Sequence, residues 1–259
     1  MIKLWCGGRP ISAVEALVFD KDGTLANSHS WLAQLARQRA QVCVAAVQSQ
    51  FGDPASDLLS QILASFGVRP TGLDPEGLMA VGTRQANQAA VLDLLLQAGY
   101  PAQGWATWVA DLFDAADRNL APKASHTPPF RGTQALLERL QASSLKVGVL
   151  SSDSPMHVEA FLQTYGLMAW VDGWQGTNPD DRPKPHPALL YRLCDRLAVS
   201  PQATVIVGDS GVDRQLALNA GAAGFISVSE AWGRPAVEGA EWVLTDWDDL
   251  QVLPAGPFA

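Results

Sequence analysis

The sequence predicts an α/β fold: a parallel sheet with helices on both faces, interrupted after its first strand by an all-helical insertion. Three observations carry this expectation. Short apolar runs of strand length alternate with helical patterns. The stretch from residue 28 to residue 127 holds helical periodicity and no convincing strand. Two of the apolar runs end on paired carboxylates and a glycine, the chemistry expected at the carboxyl edge of a parallel sheet.

In chain order, residues 14–19 (VEALVF) form the first run, which stops at Asp20 and Gly23. Further runs occur at 146–150 (KVGVL), 203–207 (ATVIV), 224–228 (GFISV) and 242–244 (WVL). Strands buried on both faces read as continuous apolar runs of this kind. Leu190, Leu193, Cys194 and Leu197 mark one apolar helix face between them. Within the insertion, Trp31, Leu35 and Val42 open an amphipathic helix, and residues 91–96 mark another. Trp105, Trp108, Val109, Leu112, Phe113 and Ala116 form the stripe of a third. Aromatics at helical spacing are expected in a core rather than along a ligand cleft. Gly52-Asp53-Pro54 and Gly99-Tyr100-Pro101 separate the helices. The expected organisation is 1–27 for the first part of the core, 28–127 for the insertion and 128–259 for the rest of the core. Ile2 to Trp5 adds a strand or packs on the core.

Composition narrows the function. Of the 259 residues 47% are hydrophobic and 17% charged, which suffices for a packed core. A net charge of −8 with only five lysines and no basic stripe argues against a nucleic-acid surface. No apolar stretch is long enough for a membrane span, and Gly7, Gly8, Arg9 and Pro10 interrupt the place where an export leader needs an apolar run. Cys6, Cys43 and Cys194 are odd in number and scattered, as in packed thiols of a cytoplasmic protein. Nine tryptophans are compatible with a monomer or a homodimer.

The chemistry concentrates at strand ends. Asp20-Lys21-Asp22-Gly23-Thr24 follows the first strand, and alternation lets Asp20 and Asp22 face one pocket while Lys21 points elsewhere. Two carboxylates 4 Å apart repel by about 4 kcal/mol at an effective dielectric of 20, so the pair needs a cation or a shared proton. Gly208-Asp209-Ser210-Gly211-Val212-Asp213 follows another strand and adds two acids one helical turn apart. Oxygen ligands of this kind suit Mg²⁺. Ser151 and Ser152 bring a hydroxyl and turn amides after 146–150. Lys184 stands between Pro183 and Pro185, which aim its charge.

In this order, the four motifs resemble the haloacid dehalogenase-like (HAD) superfamily, and the resemblance runs from Asp20 to Asp213. The insertion resembles the C1-type helical cap of phosphoglycolate phosphatase-like members. The resemblance implies a Rossmann-like parallel core with an inserted all-helical cap, and a Mg²⁺-dependent phosphatase acting on a small-molecule phosphate ester. Asp20 is then the nucleophile, which becomes an aspartyl-phosphate, and Asp22 the general acid and base. Asp20, the Asp22 backbone carbonyl, Asp209 and Asp213 serve the metal. Thr24, Ser151, Ser152 and Lys184 bind phosphoryl oxygens.

Single positions discriminate within the family. Dehalogenases lack the second acid, present here as Asp22. Phosphonatases use a cap lysine, and no lysine lies between Ser28 and Pro122. Phosphomutases of this cap type usually carry a histidine ten residues after the second acid, where this chain has Leu32. A phosphomutase and a non-catalytic binding protein remain the alternatives. Where the family usually has Asp-Ser, this chain reads Asn27-Ser28. The cap is expected to set specificity, and Arg84, in Gly82-Thr83-Arg84-Gln85, is the candidate contact to substrate among Arg37, Arg39, Arg69, Arg84 and Arg118.

Overall fold

The structure, a computed structural model, describes residues 3–11, 14–52, 56–74, 76–100, 104–120, 122–229 and 233–253. Ile2, Asp53, Pro54 and Pro101 lie outside them. The chain divides into two compact units, one of Met1–Asn27 with Thr127–Ala259 and one of Ser28–His126.

In the first unit β1 (Lys3–Cys6), β2 (Arg9–Ile11) and β3 (Ala16–Phe19) precede the break. The second unit holds α1 (His29–Phe51), α2 (Leu58–Ser65), β4 (Val68–Arg69), β5 (Gly72–Leu73), α3 (Leu78–Val81), α4 (Arg84–Gln97) and α5 (Trp105–Arg118). The first unit then resumes with α6 (Thr133–Gln141), β6 (Lys146–Leu150), α7 (Pro155–Thr164), β7 (Gly173–Gln175) and α8 (Ala188–Leu197). It continues through β8 (Thr204–Gly208), α9 (Gly211–Ala220), β9 (Gly224–Val228), β10 (Trp242–Leu244) and β11 (Leu250–Leu253). Among the described residues no helix is long and apolar enough to cross a membrane.

Six strands form one parallel sheet in the order β10-β9-β8-β3-β6-β7. Successive strand side chains point to opposite faces. Leu17, Phe19, Val147, Val149, Val205 and Val207 accordingly pack on one face against Leu136, Leu137 and Leu140 of α6 and Phe161 of α7. Val18, Leu150 and Ile206 pack on the other against Leu189, Leu190, Leu193 and Leu197 of α8 and Leu216 of α9. Because both faces are covered, these strands carry no polar alternation.

From β3 the sheet grows one way through β6 and β7 and the other way through β8, β9 and β10. This change of direction sits between β3 and β8, where open parallel sheets form a crevice beyond the strands' carboxyl ends. A separate antiparallel sheet, β11-β1-β2, places Leu4, Cys6, Ile11 and Leu250 in the core of this unit. The N-terminal residues 3–6 thus form a strand, with Leu253 paired to Lys3.

The second unit is helical except for one correction: β4 and β5 pair antiparallel, Val68 with Leu73 and Arg69 with Gly72. Two-residue strands are too short to carry a periodic signal. The Trp105 stripe is core: Trp105, Val109 and Phe113 are buried, with Trp108 and Leu112 packed against them. Leu32 is buried in the same cluster.

Candidate active site

The candidates of the first unit lie just after strands of the parallel sheet, in the first turn of α9 (Asp213) or in the loop before α8 (Lys184). Asp20 comes directly after β3, and its N–H donates to the Val207 carbonyl on β8. The chain then turns sharply: the Lys21 carbonyl accepts the N–H groups of Thr24, Leu25 and Ala26, and Gly23 N–H donates to the Ala26 carbonyl. Gly23 has φ +87°, and a Cβ there would lie 2.3 Å from Asp209 Oδ2, so glycine is needed for both backbone and space. Gly208 serves a similar end, because a Cβ there would stand 2.6 Å from the Asp213 Cβ.

Lys184 ties the two acidic loops together. Its Nζ donates to Asp20 Oδ1 at 2.7 Å and to Asp213 Oδ1 at 2.8 Å, with all three side chains buried. Burial opposes the ammonium charge, yet Asp20 and Asp213 outweigh it and hold Lys184 above the ordinary lysine range. For Asp20, burial pushes the carboxyl up to about 7; Lys184 draws it down, while Asp213 and Asp22 push it up. Asp213 is further held by Ser210, whose Oγ donates to Asp213 Oδ2 at 2.7 Å and caps α9 by accepting the Asp213 N–H.

Asp209 is held from two sides. Thr24 Oγ1 donates to Asp209 Oδ1 at 3.1 Å, and Arg234 Nη1 donates to Asp209 Oδ2. The hydroxyl of Thr24, a candidate for phosphoryl oxygens, thus also steadies a carboxylate. Sequence reading missed Arg234, since 25 residues and no motif spacing connect it to Asp209.

Ser151 is buried at the end of β6, where its Oγ accepts the Asp153 N–H at 3.1 Å and its carbonyl accepts the Thr177 hydroxyl. Ser152 lies half-buried beside it. The Asp22 side chain is not one of the three, Asp20, Asp209 and Asp213, whose oxygens lie within 4.8 Å of one another; its Oδ2 accepts from Lys21 Nζ at 2.6 Å. Lys21 does not simply point away, as alternation suggests, because the turn brings it back onto its neighbour. Arg84, in the second unit, donates to Asp114 and Asp117. Asp117 also takes a two-pronged contact from the buried Arg39, whose guanidinium lies 4.6 Å from the Phe113 ring centre.

Asp20, Asp209 and Asp213 each offer a carboxylate oxygen, and these atoms lie within 4.8 Å of one another. A buried, all-oxygen donor set fits a hard divalent cation. Lys184 and Arg234 offset part of the charge of these three carboxylates.

Buried acids and a lysine at the switch point of a parallel sheet place a candidate active site on an α/β core. The chain matches the haloacid dehalogenase-like hydrolase family over residues 14–221 and belongs to it. It is 28% identical over 247 residues to a phosphoglycolate phosphatase of Synechococcus elongatus, covering 92% of this chain and 95% of the relative. Among solved structures it resembles one described as a predicted phosphoglycolate phosphatase from Haemophilus somnus. There the TM-score is 0.65 at 21% identity, over 92% of this chain and 97% of the other. It also resembles a HAD family hydrolase from Deinococcus radiodurans holding phosphate and sodium, with a TM-score of 0.53 at 21% identity, over 92% and 93% of the two chains.

Proposed function

We propose that this hydrolase is a Mg²⁺-dependent phosphatase of small phosphomonoesters, with phosphoglycolate-like and sugar phosphates as its substrate class. The observation that carries the reading is the Lys184 bridge between Asp20 and Asp213, with Asp209 beside them at the switch point. The match to a phosphoglycolate phosphatase along most of both chains supports the substrate class.

In this reading an Asp20 carboxylate oxygen attacks phosphorus, the bond from phosphorus to the ester oxygen breaks, and Asp22 gives the departing alkoxide a proton. Water then attacks the aspartyl-phosphate, Asp22 takes a proton from it, and inorganic phosphate leaves with Asp20 restored. Dividing one displacement into two lowers each barrier. Lys184 and the Ser151 hydroxyl, with the turn amides near Ser152, steady the phosphoryl oxygens. Mg²⁺ bound by Asp20, Asp209, Asp213 and the Asp22 carbonyl supplies charge stabilisation.

The test is phosphate release from a panel of phosphomonoesters with and without Mg²⁺. Wild type is expected to turn over at least one of them only with Mg²⁺, and Asp20→Asn to lose about 10³-fold or more. Equal rates for wild type and Asp20→Asn would remove the reading.

A further inference from the structure

We propose that Lys21 is a positioning residue for Asp22, holding its carboxylate in one orientation through a strap that reaches the loop after β6. The inference rests on the phosphatase reading. Lys21 is 1% exposed although it is charged, and a buried ammonium is costly unless it is paired. Its Nζ sits between Asp22 Oδ2 at 2.6 Å and Asp153 Oδ2 at 3.1 Å, and 5.7 Å from the Phe161 ring centre.

The two acids belong to the loops after neighbouring strands, β3 and β6, so the lysine joins the carboxyl edges of both. Asp153 is itself fixed, since its Oδ1 meets His157 Nδ1 at 3.2 Å and its N–H donates to Ser151 Oγ. The strap therefore runs from Asp22 through Lys21 and Asp153 to Ser151, linking the proposed acid to a proposed phosphate ligand. With one oxygen held by Lys21, rotation of the Asp22 carboxyl group is restricted. Misplacing a reacting group by about 1 Å can cost about 10²-fold.

A positioning role has a signature that a merely structural one lacks. An alkoxide needs a proton as it leaves, whereas a nitrophenolate departs without one. In addition, kcat/KM reports the steps through the departure of the leaving group. In Lys21→Met, which keeps an apolar stem over Phe161, kcat/KM for alkyl phosphates should fall about tenfold more than for p-nitrophenyl phosphate. Asp153→Asn, which removes only the far anchor, should move the same ratio in the same direction, by about threefold. Thermal unfolding followed by circular dichroism checks that each variant folds, and Asp153→Asn decides the matter if Lys21→Met does not. An unchanged alkyl-to-aryl ratio overturns the inference, whether or not both rates drop together. A wild-type protein inert on every ester removes the phosphatase reading first, and this inference with it.

Discussion

Asp209 Oδ2 occupies the space that any side chain at residue 23 would need, since a Cβ on Gly23 would come within 2.3 Å of it. Loop and carboxylate are thus fitted to each other across the switch point. Gly23→Ala meets this clash and a left-handed φ of +87° together. The backbone alone costs about 1–2 kcal/mol, and displacement of Asp209 should lower phosphatase activity by at least about tenfold. Thermal unfolding and phosphate release measure the two effects, and wild-type values for both would contradict this account.

Lys184 compensates two buried carboxylates at once. Removing one partner of such a group typically costs about 3–5 kcal/mol. Lys184→Met should lose stability on that scale without Mg²⁺. Millimolar Mg²⁺ should restore part of the loss and stabilise this variant more than it stabilises wild type, because the acids are left without their lysine. Denaturant unfolding with and without Mg²⁺ reads this directly. An equal Mg²⁺ gain in both proteins would place the ion elsewhere.

In the helical unit, Asp117 answers both Arg39 and Arg84. Arg39 is buried while Arg84 is about one-third exposed. Asp117→Asn should cost about 2–3 kcal/mol, toward the low side for a buried pair because Asp117 retains some solvent. Arg84→Ala should cost about 1 kcal/mol or less and leave KM within about twofold, since its guanidinium is already engaged by two carboxylates. A KM raised tenfold or more would instead make Arg84 a substrate contact.

Burial pushes the thiols of Cys6 and Cys43 up to about 12, with Asp249 adding to the shift at Cys6. The ordinary value is 9.0, so between pH 9 and 12 the unfolded chain gives up protons that the folded chain keeps. Stability from this source is full below pH 9 and falls as pH rises through that window. At pH 8 an alkylating reagent should leave Cys6, Cys43 and Cys194, all buried, unmodified until denaturant is added. Rapid labelling of the native protein would disprove this packing.

Much of the parallel sheet was legible because its strands are buried on both faces. Residues 146–150, 224–228 and 242–244 are the observed β6, β9 and β10, and the first and third runs, 14–19 and 203–207, shift by only a residue or two at their ends. The strand Gly173–Gln175 was not legible. Three residues hold no period, and their pairing with Gly148–Leu150 depends on a partner distant in sequence. The same holds for Arg9–Ile11 and Leu250–Leu253, which meet only through β1.

At the site, the sequence by itself determined which residue types stand at the strand ends, because composition and turn chemistry are local. The tertiary structure decided how they are used. Lys184 reaches Asp20 across 164 positions and Thr24 reaches Asp209 across 185. Lys21 turns back onto Asp22 and across to Asp153, and Arg234 joins Asp209 from outside any motif. The physical reason is one of range. Strand-forming patterns are set by neighbours along the chain, whereas the partner of a buried charge is whichever opposite charge the folded sheet brings within a few ångströms.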